Sequence, residues 1–97
     1  MTAPDVWVAK DDGGDIIRAA AIAAVGRDYN GNITVRLSGG EHLTLVLDHA
    51  QDHTHTPSDF HRQLIKVMAE LSDAAGPAIV RPAQDPDRGW RWITERL

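Results

Sequence analysis

The chain has 97 residues, 42% of them hydrophobic, and a formal net charge of −4; this fits one small domain, residues 1–97, with little spare stability. It has no cysteine, which excludes disulfides, Cys-ligated zinc and thiol nucleophiles. The ten basic residues stand singly, and no apolar run nears the roughly 20 residues of a bilayer span, so neither nucleic acid nor membrane is an expected partner.

Arginine outnumbers lysine eight to two, a bias of high-GC bacterial or phage coding sequence. The stretch MTAPDVWVAKDDGGD has no basic segment followed by an apolar one, so it does not read as a signal peptide and a cytoplasmic location is expected.

VWVAK (6–10) alternates Val6, Val8 and Lys10 against Trp7 and Ala9 and reads as a short strand. DDGG (11–14) is turn chemistry. DIIRAAAIAAVG (15–26) has helical propensity, with Asp15 as a cap and Gly26 as a stop. On a helical wheel, however, Ile16, Ile17, Ile22 and Val25 scatter around the whole circumference, which would demand burial on every side.

The hairpin signal YNGN (29–32) favours strands, because Asn-Gly suits a type I′ turn. A two-residue loop pairs Tyr29 with Asn32, Gly26 with Val35 and Ala24 with Leu37. It gathers Ile22, Ala24, Gly26, Ile33, Val35 and Leu37 on a core face, leaving Val25, Arg27, Thr34 and Arg36 to solvent. Strands are therefore expected over 16–18 and 22–29. After SGGE (38–41), HLTLVLD (42–48) alternates Leu43, Leu45 and Leu47 against His42, Thr44 and Val46. A strict Gly-Gly loop would put Leu37 with His42, so a longer loop or a bulge is expected.

One amphipathic helix is expected over about 57–75. Thr56 is the predicted N-cap, Pro57 suits the first helical position, and Asp59 can close a capping box. Phe60, Leu64, Val67, Met68 and Leu71 form one stripe, opposite Arg62, Lys66, Glu70 and Asp73. Ala75-Gly76-Pro77 ends it. AIVRP (78–82) and WRWIT (90–94) make a C-terminal hairpin. The whole reads as α+β: a mostly antiparallel, curved sheet of about six strands with the helix packed on it.

DHAQDHTHTPSDFH (48–61) holds four of the five histidines. His49, His53 and His55, with His61 or Asp52, could supply the four donors of a structural zinc. The spacing matches neither the H-x-H-x-D-H of metallo-β-lactamase-type sites nor the strand-borne cupin pattern. A polar loop before a capped helix is the favoured reading, and no cofactor is expected. DDGGD (11–15) lacks the ligand alternation of a calcium loop. Ser58, His61 and Asp59 lack the G-x-S-x-G frame of a nucleophile elbow, so no enzyme is expected.

GWRWITERL (89–97) places Trp90 and Trp92 on one face of the last strand, with Arg91 and Ile93 on the other. Core coverage explains the tryptophans; so does an aromatic patch beside arginine, the composition of interface hot spots. Trp90, Arg91 and Trp92 are the candidate partner-binding residues. The reading is a binding domain acting on a protein partner, including a second copy of itself as a homodimer. Metal binding through His49–His61 is the alternative.

Overall fold

Alternation in VWVA builds β1 (Val6–Ala9), with Val6 and Val8 buried. The computed structural model describes residues 5–11, 14–47, 56–73, 76–87 and 89–97. Strand β2 (Ile16–Arg18) returns antiparallel to β1 and sets Arg18 opposite Trp7. The Arg18 guanidinium lies 5.0 Å from the centre of the Trp7 ring, a cation–π contact across the two strands.

The alanines do not make a long helix. They form one 3-10 turn (Ala19–Ala21), after which β3 (Ile22–Arg27) continues extended. The turn carries the chain from one sheet to the other. Strands β2 and β1 join β6 (Ala78–Asp85) and β7 (Gly89–Arg96) in a four-stranded sheet of order β2-β1-β6-β7. Strand β3 joins β4 (Ile33–Leu37) and β5 (Leu43–Leu47) in a three-stranded sheet.

The β3–β4 loop is one residue longer than the Asn-Gly signal predicts. A type I′ turn needs positive φ at both central residues, and among the described residues only glycines have it, Gly31 at 84°. The Gly31 N–H donates to the Asp28 carbonyl (3.0 Å), and the Asp28 N–H donates to the Asn32 carbonyl (3.1 Å). Asp28 Oδ1 also accepts from the N–H groups of Asn30 and Asn32, each at 2.9 Å. These side-chain bonds favour a three-residue loop closed by a left-handed glycine.

The extra residue slides the register. Val25 pairs with Val35, Gly26 with Thr34 and Arg27 with Ile33. Val25 and Arg27 therefore share the face of buried Ile33 and Val35, the reverse of the sequence expectation. A register shift between Ile22 and Ala24 leaves Ala23 as the extra residue and brings Ile22 back to the core side.

A second shift, between the Ile33–Leu47 and Thr34–Leu45 rungs, makes Val46 the extra residue of β5. Val46 and Leu47 are both buried, while Leu43 and Leu45 are exposed opposite Arg36 and Thr34. The expected three-leucine stripe is thus reduced to Leu47.

The helix, α1, runs Phe60–Ser72. Pro57–Asp59 form a lead-in turn, with the Phe60 N–H bonded to the Pro57 carbonyl (3.0 Å). Phe60 and Leu64 are fully buried, and Val67, Met68 and Leu71 pack partly buried against the same core. Val8, Ile33, Val35, Val46, Leu47 and Val80 complete that core, so both sheets and the helix share it.

Backbone bonding in the four-stranded sheet alternates. The Ala78 N–H donates to the Asp5 carbonyl (3.0 Å) and the Leu97 N–H to the Pro77 carbonyl (3.1 Å). Even positions of β6 thus bond toward β1 and odd positions toward β7. Pro82 is an even position that faces β1 but has no N–H to carry the ladder past its last rung, Val8–Val80. Among the described residues no helix is long and apolar enough to cross a membrane.

Candidate functional site

Strand β7 is the outermost strand of its sheet. It pairs with β6 through eight consecutive rungs, from Ala78–Arg96 to Asp85–Gly89, with no register shift. The alternation that turns odd positions of β7 toward β6 turns even ones to its outer edge, which pairs with no other strand among the described residues. The N–H and C=O groups of Trp92 and Thr94 therefore point away from the sheet.

The structure places the three candidate partner-binding residues differently. Trp92 is a strut between strand and helix. Its ring stacks on Phe60, centroids 4.6 Å apart at 15°, and its Nε1–H donates to the Phe60 carbonyl at 2.9 Å. Trp90 is partly buried against the same core. Arg91 is exposed on the opposite face. Ile93 and Glu95 share the Arg91 face by strand alternation, and Glu95 Oε1 accepts from Arg81 Nε at 3.1 Å. Sequence alternation already sets Ile93 on the Arg91 face, and the same two-residue period in RWITE extends that face to Glu95.

The histidine segment falls only in part within the described residues. His49, His53 and His55, with Asp52, lie outside the described residues. His61 sits in the first turn of α1, partly buried, and its Nδ1 is buried with no hydrogen-bond partner. Among the described residues no three His, Cys, Asp or Glu side chains cluster to hold a metal ion.

Thr56 has a role the helix-cap reading did not anticipate. Its Oγ1 donates to the Gly31 carbonyl (2.7 Å) and accepts from Arg27 Nε (3.0 Å), and its own carbonyl accepts from the second Arg27 nitrogen, Nη2 (2.9 Å). Buried Thr56 thus locks the entry to α1 onto the β3–β4 hairpin. With its hydroxyl committed there, the residue before the helix is Asp59, which makes no side-chain cap bond. Asp59 Oδ1 accepts instead from Gln63 Nε2 (2.9 Å).

Between the 3-10 turn and the C-terminal half of α1 lies an open cleft of about 400 Å³, lined by Asp5, Arg18, Ala19, Met68 and Ser72 among others. Its polar groups are already engaged: Arg18 pairs with Asp5 at 3.8 Å, and the Ser72 hydroxyl donates to the Met68 carbonyl. No protein-family model, curated protein or solved structure matches the chain. Among the described residues, the outer edge of β7 is the candidate site.

Proposed function

We propose that this is a small binding domain that joins a protein partner along the outer edge of β7 and has no catalytic step of its own. The observation that carries this reading is the outward set of backbone groups at Trp92 and Thr94 on a long, unbulged outer strand. Such an edge is a template for an added strand unless something blocks it. Trp92 stiffens the strand from beneath through Phe60, and Arg91 faces outward to the partner. The acidic balance of the chain supports a protein partner over nucleic acid.

Thr94→Pro tests the reading, because it removes an N–H that points away from β6 and so spares the ladder to β6. A photo-crosslinking residue at exposed Leu97, in producing cells, should give a discrete protein adduct that disappears when Thr94→Pro is added. An adduct indifferent to the proline, or no adduct at all, would overturn the reading.

A further inference from the structure

We infer that the partner is a second copy of this chain, its β7 running antiparallel to the first about a two-fold axis at Ile93. This rests on the edge reading above and names its occupant. The argument is one of register. Arg91, Ile93 and Glu95 follow one another along the outer face of β7. An axis at Ile93 sets that residue against its own copy. It also sets Arg91 opposite Glu95 of the second copy, and Glu95 opposite Arg91 of the second copy. Opposite charges directly across an antiparallel pair are favourable, and here the pair occurs twice by symmetry.

The neighbouring registers lack this match. An axis at Trp92 sets Arg91 against Ile93 and Glu95 against Gly89; an axis at Thr94 sets Arg91 against Leu97. Only the Ile93 axis joins both charges to opposite ones. Its backbone also fits: the outward N–H and C=O groups of Trp92 meet those of Thr94 of the second copy, and the reverse.

The charges are placed to receive one another. Among the described residues Arg91 makes no ion pair or hydrogen bond, whereas Glu95 already holds Arg81 at 3.1 Å. In the dimer each Glu95 is shared by Arg81 of its own chain and Arg91 of the other, giving a row of alternating charge across the junction. The contact is small, so association belongs at micromolar rather than nanomolar concentration, and it weakens as salt rises.

Sedimentation of the unmutated chain should show a monomer–dimer equilibrium. Amide exchange at Trp92 and Thr94 should slow as concentration rises. Arg91→Glu alone sets Glu against Glu, and Glu95→Arg alone sets Arg against Arg; each should weaken the dimer about tenfold or more. The double reversal should restore it, and an equimolar mixture of the two single variants should form a heterodimer. Unchanged circular dichroism confirms that each variant is folded. A chain that stays monomeric at high micromolar concentration overturns the inference, as does a dimer indifferent to the single reversals. If that monomer still gives the proline-sensitive adduct with another protein, the edge reading survives and only the self-pairing falls.

Discussion

Arg27 and Thr56, 29 positions apart in the chain, are joined by two hydrogen bonds, Nε to Oγ1 at 3.0 Å and Nη2 to the backbone carbonyl at 2.9 Å. The same threonine hydroxyl satisfies the buried carbonyl of Gly31. Thr56→Ala would leave that carbonyl and the Arg27 Nε without partners, at a cost of about 1–3 kcal/mol. Thr56→Ser keeps the hydroxyl and should lose less. Ser72→Ala, whose exposed hydroxyl bonds only a helix carbonyl, is the control and should stay within about 0.5 kcal/mol. Urea unfolding of the three variants gives the order; a harmless Thr56→Ala would mean the hairpin lock carries no stability.

The helix stripe grades by depth. Leu64 is fully buried, and Leu64→Ala should cost about 2–5 kcal/mol. Leu71 is only partly buried and should cost less. Arg62→Ala and Lys66→Ala, both on the exposed face, should stay within about 0.5 kcal/mol. Melting temperatures that fail to separate the two pairs would show the face to be misplaced.

Asp28 is held below its usual carboxylate range. What slight burial it has pushes its pKa up, but hydrogen bonds from the backbone and side chain of Asn32, and from the N–H groups of Asn30 and Gly31, outweigh this. A carboxyl lowered in the folded state contributes stability above its unfolded value of 3.8, and that contribution is lost as pH falls through the lower folded value. The Asp28 carboxyl resonance should therefore titrate below 3.8. In Asp28→Asn the acid limb of stability against pH should be flatter.

The histidine segment gives a chemical test. The protein should fold without metal, so melts with a chelator and with added zinc should coincide. A structural site would be linked to folding and would lower stability on chelation. A loss reversed by zinc, and absent in His53→Ala/His55→Ala, would replace the loop reading by the metal one.

Much of this fold is legible in residue periods. Val6 and Val8 mark β1, the scattered isoleucines of 16–22 argue against a helix, and Phe60 and Leu64 mark the buried face of α1. The hairpin register is not legible in the same way. It depends on whether the Asp28 carboxylate binds two backbone N–H groups, a choice that leaves no periodic trace. One residue of loop then moves Val25 and Arg27 to the core side. The bulges at Ala23 and Val46 have no glycine to announce them, and Val46 displaces the leucine stripe. Thr56 looks like a cap because caps are local; its partners Gly31 and Arg27 are distant in sequence. At the candidate site, alternation placed Trp90 and Trp92 on one face and Arg91 on the other. That Trp92 props the strand from beneath became clear only from its stacking on Phe60.

The parallel rungs between β1 and β6 join the two ends of the chain: Val6 lies beside Ala78 and Val8 beside Val80. By contrast, β3–β4–β5 and β6–β7 close through short loops. Closing a long loop costs entropy before any contact repays it, so the local hairpins should have a head start and the β1–β6 seam should form last. The seam then governs how long the native state lasts rather than how fast it appears. Val8→Ala should speed unfolding and leave the refolding rate nearly unchanged; a slowed refolding limb in a chevron plot would place the seam in the nucleus instead. On that order, global unfolding should begin with β1 leaving β6 while the C-terminal hairpin is still intact.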